Sequence, residues 1–174
     1  MKVYSKPGQT VFQVMLPLDL EHVNQDQIVI TQEWINFDDS KLQSILKNND
    51  NIAVVGITNN PDEASYDIPA FLQDKGYNIF PINPKIEGQI LGRNVYQNLK
   101  EVSEKIDIVL IFSPDEELQP IIDEIIEQKI SIVWMQEGVF NEDSARIAQK
   151  AGIEVVMDKC IRNTYNTLLP EFKK

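Results

Sequence analysis

Histidine and cysteine are nearly missing from this chain, which has one of each in 174 residues, His22 and Cys160. A single cysteine excludes an intramolecular disulfide, and with one histidine beside it the chain cannot build a Cys/His zinc cluster. Clustered positive charge is missing too. Sixteen Lys and Arg stand against 27 Asp and Glu, a formal charge of −11, so there is no basic lattice to neutralise nucleic acid or an anionic membrane. No apolar stretch approaches the length of a membrane span, and Met1–Gly8 lacks the apolar core of a secretory leader. A G-x-G-x-x-G fingerprint and a Walker loop are both lacking. These absences lead to the expectation of a cytoplasmic protein that holds any anionic ligand by local groups.

What is present is a core of useful size, since 43% of the residues are hydrophobic, enough for one compact domain and a modest extension but not for two domains. The central stretch is Ile52-Ala53-Val54-Val55-Gly56-Ile57-Thr58-Asn59-Asn60-Pro61. Its first four residues are apolar and mostly β-branched, as in a parallel strand buried on both faces. Gly56 permits a sharp turn, and Thr58, Asn59 and Asn60 put small polar groups and free amides ahead of the next helix. That pattern suits a phosphate cradle, and equally an ordinary strand end.

Residues 1–34 do not share the rhythm of the rest. Val11–Leu16 and Gln27–Thr31 are short β-prone runs around a polar segment, which reads as a hairpin or arm that needs a surface to lie on. An edge addition or a homodimer contact follows as the expectation. His22, with no converging partner in the sequence, reads as an incidental residue.

From residue 35 to 174 strands and helices alternate. A short helix over Lys41–Lys47, capped by Asp38–Ser40, leads into the strand at Ile52–Val55. A helix over Ser65–Lys75 ends at Gly76, with Pro69 placed in its first turn. The second strand, Tyr77–Ile82, stops at Asn83-Pro84-Lys85, where Pro84 holds Asn83 extended and leaves its amide side chain free. A connection over Ile86–Asn98 contains a possible short strand at Val95-Tyr96, and Leu99–Lys105 reads as a brief helix. Further strands are expected at Ile106–Phe112, Ile130–Met135 and Ile153–Met157, with helices at Glu116–Gln128 and Glu142–Ala151 and an Asn- and Thr-rich terminal segment. This alternation predicts an α/β doubly wound, parallel Rossmann-like sheet with helices on both faces and right-handed crossovers. Ligands of such sheets sit beyond the carboxyl ends of the strands, so the turns at Gly56–Pro61, Asn83–Lys85, Ser113–Asp115 and Gln136–Gly138 should converge on a nucleotide-like ligand.

Read together, Ala53–Thr58, Asn60–Asp62, Ser65-Tyr66, Pro81–Lys85, Ile90–Gly92 with Val95-Tyr96, Trp134–Val139 and Val156–Ile161 resemble the family of small Rossmann-like CoA-binding proteins, related to the CoA-binding domain of the succinyl-CoA synthetase alpha subunit. The resemblance covers roughly residues 36–165. It implies that the loop after the first strand meets the CoA phosphates, that the Asn-Pro turn lies beside the adenosine end, and that later turns line the pantetheine path. The sequence departs from the family at charge. Where members often show Asp-Arg-Pro-Ser-Tyr-Arg, this chain has Asp62-Glu63-Ala64-Ser65-Tyr66-Asp67, and Phe112 is followed by Ser113-Pro114-Asp115 rather than by a basic residue. Lys85, Arg93, Lys159 and Arg162 remain as candidate counter-charges, with Lys85 the best placed.

The expected ligand residues are therefore Gly56, Ile57, Thr58, Asn59, Asn60, Asn83, Pro84, Lys85, Ser113, Gln136 and Gly138, with no catalytic residue and no metal. Cys160 reads as a buried small residue, Asp158 and Glu137 as turn caps, and Trp134 as core. The synthetases use a phosphorylated histidine in a second domain, and no histidine follows His22, so ligase activity is not expected. The leading expectation is a non-catalytic CoA or acyl-CoA binder. The alternatives are an interaction or scaffold protein whose nucleotide site has decayed through Glu63, Asp67 and Asp115, and an NAD-dependent redox protein. The last is disfavoured because Asn83 stands where an acid should hold the ribose hydroxyls.

Overall fold

The apolar runs become parallel strands because the two sides of each run have different helices to bury against. The computed structural model describes residues 37–174, and the expected arm at 1–34, His22 included, lies outside them. In chain order the elements are α1 (Asp39–Asn48), β1 (Asn51–Val55), α2 (Ala64–Asp74), β2 (Asn78–Ile82), β3 (Gln89–Ile90), β4 (Arg93–Asn94), β5 (Ile108–Ile111), α3 (Leu118–Glu127), β6 (Ile132–Met135), α4 (Glu142–Lys150), β7 (Glu154–Val156) and α5 (Ile161–Leu168). Five strands form one parallel sheet in the order β2-β1-β5-β6-β7. β1 pairs in register with β2 on one side and β5 on the other, Val55 lying opposite both Ile82 and Ile111.

Alternation along each strand divides the core. Ala53, Val55, Val109 and Ile111 face α3 and α4 through Leu118, Ile122, Ala145 and Ala148. Ile52, Val54, Ile108, Leu110 and Trp134 face α1, α2 and α5 through Leu42, Leu46, Leu72 and Tyr165. A strand buried on both faces needs apolar residues at successive positions, which is why Ile52–Val55 reads as a continuous run. Trp134 is fully buried, as expected, and its Nε1–H donates to the Lys159 carbonyl at 2.7 Å. Caps hold the helix starts. Asp38 accepts from the Lys41 amide at 2.7 Å at the head of α1, and Asn141 accepts from the Ser144 amide at 2.9 Å at the head of α4.

Three local expectations are corrected, and one segment to which no element was assigned forms a helix. Pro69 lies inside α2 as its sixth residue, not in the first turn; it is buried, and the helix continues past the one backbone bond that proline cannot donate. Val95-Tyr96 is not a strand. The ladder lies earlier, as the β3–β4 hairpin, turned by Leu91 (φ 53°) and Gly92 (φ 73°) in the left-handed conformations of a two-residue hairpin turn, while Tyr96 makes only an isolated bridge to Ile82. The helix expected at Leu99–Lys105 shrinks to a 3-10 turn over Leu99–Glu101, because Val102 is already extended. The Asn- and Thr-rich terminal segment is a helix, α5, whose Ile161, Thr164 and Tyr165 share one buried face.

Candidate functional site

Strand order reverses at β1, with β2 on one side and β5 on the other, so the crevice of this sheet opens where β1 and β5 end. The floor there is tight. Gly56 has φ +81°, and a Cβ on it would stand 3.0 Å from both the backbone nitrogen and the Oγ of Ser113. Any side chain would have to push the end of β5 away, so glycine is required for the close approach and for the backbone angle.

Above that floor lies a cavity of about 550 Å³. The strand ends contribute Val55, Gly56, Ile82, Phe112 and Ser113, and the turn after β2 contributes Asn83, Pro84 and Lys85. Its far wall is Pro120, Ile121 and Glu124 of α3, with Glu116 and Glu117 ahead of that helix and Gln97 and Asn98 from the connection leading to β5. A second hollow of about 490 Å³ adjoins it, sharing Phe112, Ser113, Pro114 and Glu116 and adding Glu137, Gly138 and Val139. A third, of about 330 Å³, carries on from Glu137 to Asp158, Lys159 and Cys160.

Of the residues expected at a ligand, the main cavity gathers Gly56, Asn83, Pro84, Lys85 and Ser113, and the adjoining hollow takes Gly138. Thr58, Asn59 and Asn60 lie outside both linings. Thr58 Oγ1 and Ser65 Oγ are hydrogen-bonded at 2.9 Å, while Asn60 accepts from the Asp62 amide and donates to Glu63. The Ile57 side chain is fully buried among α1, α2 and α5. Gln136 is buried and spans two elements, its Oε1 accepting from the Ile161 amide at 3.0 Å and its Nε2 facing Cys160 Sγ at 3.5 Å. Cys160 is half-buried rather than buried, since it caps α5 at the surface. Asp158 caps a turn as expected, accepting from the Gly138 amide at 2.8 Å.

The Asn83 amide is not free. Its Nδ2 donates to the Ile57 carbonyl at 2.8 Å and its Oδ1 accepts from the Lys85 amide at 2.9 Å, so it ties the turn after β2 to the turn after β1. Lys85 reaches Glu117 Oε1 at 3.3 Å, both side chains being well exposed. Of the other candidate cations, Lys159 lines the third hollow and the two arginines are engaged elsewhere. Arg93 stacks over Phe80, and Arg162 of α5 is paired with Asp67.

The acids that replace the family's arginines are held by the chain itself. Asp67 has Arg162. The carboxyl of Glu63 is held below the usual glutamate range, first by the Thr58 hydroxyl, then by the Asn60 amide, with burial opposing and Ser65 adding a smaller contribution. Sequence reasoning missed the α3 wall and Asn98. Asn98 Nδ2 donates to Glu101 at 3.3 Å, while its Oδ1 is buried and has no partner among the described residues. Nothing in the sequence separates Asn98 from an ordinary helix-capping asparagine.

Among the described residues there is no group of three or more His, Cys, Asp or Glu placed to hold a metal, and no helix is long and apolar enough to cross a membrane.

Comparison with known proteins gives concordant matches. The model of a CoA binding domain family matches residues 50–165. YneT of Bacillus subtilis, an uncharacterized protein, is 36% identical over 123 residues, covering 71% of this chain and 90% of that protein. The solved structure of a hypothetical protein from Pyrococcus horikoshii is similar with a TM-score of 0.75 and 27% identity, over 77% of this chain and 94% of that one. An ADP-forming acetate–CoA ligase of Methanocaldococcus jannaschii is 25% identical over 133 residues, 71% of this chain but only 19% of the ligase.

Proposed function

The chain belongs to the CoA-binding domain family, and we propose that it is a non-catalytic binder of CoA or an acyl-CoA, held in the cavity above Gly56 and Ser113. The observation that carries this reading is the cavity itself. It lies at the strand-order reversal, has about 550 Å³, and brings together Gly56, Asn83, Pro84, Lys85 and Ser113, the residue types that admit a nucleotide close to backbone. The adjoining hollow past Gly138 offers a path for the pantetheine arm. Among the described residues the lining supplies amides, a hydroxyl, carboxylates and the Lys85 ammonium but no nucleophile paired with a base, which supports binding rather than turnover. A cytoplasmic location and a homodimer joined through residues 1–34 extend the same reading.

Titration of the full chain with CoA, acetyl-CoA, NAD and ADP at low salt, followed by calorimetry and thermal melting, tests it. CoA or acetyl-CoA should raise the melting temperature, as any ligand of the folded state must, and Ile121→Trp, which adds bulk from the α3 wall, should remove that rise. A response to NAD alone would overturn the proposal. A second reading has its own support in the self-contained bonding of Glu63 and Asp67, namely a scaffold whose phosphate loop has been retired. No response to any of the four ligands would establish it in place of the first.

A further inference from the structure

An ion pair joins the two banks of the cavity. Lys85 stands in the turn after β2 and Glu117 immediately ahead of α3, which follows β5, so the two residues come from opposite sides of β1 in the sheet. Both line the cavity, and Lys85 Nζ lies 3.3 Å from Glu117 Oε1. Their side chains are 78% and 50% exposed, which puts the pair at the mouth and not on the floor. Among the described lining residues Lys85 is the only cation. In the empty chain that charge is already neutralised.

Neither bank depends on the pair for its position. An ion pair this exposed contributes little to stability. The Lys85 amide is held separately by Asn83 Oδ1 at 2.9 Å. Glu117 is followed by the fully buried Leu118, and farther along α3 Glu124 accepts from the Lys100 amide at 3.2 Å while Glu127 pairs with Lys100 Nζ at 2.7 Å. Opening the pair therefore moves two long side chains and leaves the helix in place. A phosphate monoester carries about 1.5–2 negative charges at neutral pH, against one on the carboxylate, and two anions on one ammonium repel each other at close range. Glu117 has no second side-chain partner among the described residues and is half in water, so a phosphate that reaches Lys85 displaces it into solvent.

We infer that Lys85 and Glu117 form a self-inhibiting latch. Glu117 holds the lysine across the mouth until a phosphate-bearing ligand takes its place, so such a ligand binds more weakly than the lysine alone would allow. This rests on the reading of the chain as a CoA-type binder.

Calorimetry with CoA at low salt tests it on the full chain in four forms, namely native, Glu117→Gln, Lys85→Met and the two together, each first checked for cooperative melting. Glu117→Gln should tighten CoA about threefold, because the lysine is then free. In Lys85→Met there is no ammonium to release, and adding Glu117→Gln should change the affinity little. Carbon-13 NMR of the Glu117 carboxyl reads the exchange itself. Saturating CoA should move that signal in the native chain to where it stands in ligand-free Lys85→Met. An equal gain from Glu117→Gln in both backgrounds would mean plain repulsion between carboxylate and phosphate and would overturn the latch. So would no gain in the native background, or a carboxyl signal that CoA leaves in place. All three outcomes leave the CoA-type reading standing. Failure of both the native chain and Glu117→Gln to bind CoA would overturn that reading as well.

Discussion

The loop from Thr58 to Asp67 and the cavity walled by α3 flank the same glycine, yet they differ in how far their polar groups are satisfied. In the loop the side chains of Thr58, Asn60, Glu63, Ser65 and Asp67 have partners within the chain: Thr58 with Ser65, Asn60 with Glu63 and the Asp62 amide, Asp67 with Arg162. In the cavity wall Asn83 is satisfied at both ends of its amide, but Asn98 Oδ1 is buried with no partner among the described residues, and Lys85 has only an exposed partner. From composition alone the loop looked like the phosphate cradle, being rich in small polar residues after a glycine. Polar residues that satisfy one another have little left to offer a ligand. The more informative feature is a polar atom that folding has desolvated without satisfying.

This contrast can be broken at its hinge. Gly56 serves both regions, and Gly56→Val adds a Cβ at a positive φ and only 3.0 Å from Ser113. It should cost about 3 kcal/mol of stability, seen as a lower urea midpoint with an unchanged slope. A loss near zero would mean that the end of β5 yields freely and that the two regions share no rigid floor. A smaller effect is expected at the tie between the turns. Asn83→Ala removes the bond to the Ile57 carbonyl and the one from the Lys85 amide, and should cost about 1–2 kcal/mol. Amide exchange should then quicken at Lys85, whose N–H loses its acceptor. An exchange rate identical to that of the native chain would show that the turn after β2 holds its shape without Asn83.

The smallest effect is expected in the self-satisfied loop, and its sign follows from linkage. The Glu63 carboxyl is depressed in the folded chain, with the Thr58 hydroxyl and Asn60 amide as the leading causes of that direction. A carboxyl with a lowered folded pKa adds stability above its unfolded value and loses it as pH falls through the folded one. Glu63→Gln should therefore be slightly less stable than the native chain at neutral pH and equal to it in acid. Carbon-13 NMR of the carboxyl should place its titration below that of an ordinary glutamate. A normal titration would show that the loop does not hold Glu63, and the contrast with the cavity would weaken.

Much of this architecture is legible in the sequence because it is local. The runs at Ile52–Val55, Ile79–Ile82 and Ile108–Ile111, the stripe at Leu118, Ile122 and Ile125, and the glycines after helices mark strands, helices and stops through the periods of 2 and 3.6 and through backbone sterics. The family resemblance, which the comparisons bear out, was carried instead by the strand ends and the turns after them, such as Ala53–Thr58, Pro81–Lys85 and Trp134–Val139. The misses lie where a distant partner decides. The segment Ile161–Leu168 is poor in strong helix formers, and it is a helix because Ile161 and Tyr165 have a sheet face and α2 to pack on. Leu91 takes a left-handed turn that its own sterics disfavour, in a hairpin that packs Ile90 into the core. Cys160 lies at a helix cap instead of in the interior.

The sequence by itself determined the layered α/β sheet, the edge at which a ligand should be sought, and the reversal of charge at Glu63 and Asp67. Only the tertiary structure decided which polar groups at that edge are spent on one another and which stay open. Hydrophobic period is a property of neighbouring residues, whereas hydrogen-bond satisfaction belongs to groups far apart in the chain. Asn83 meets Ile57, Asp67 meets Arg162, and Asn98 Oδ1 meets no partner among the described residues, only because the strand order 2-1-5-6-7 brings their elements to one edge.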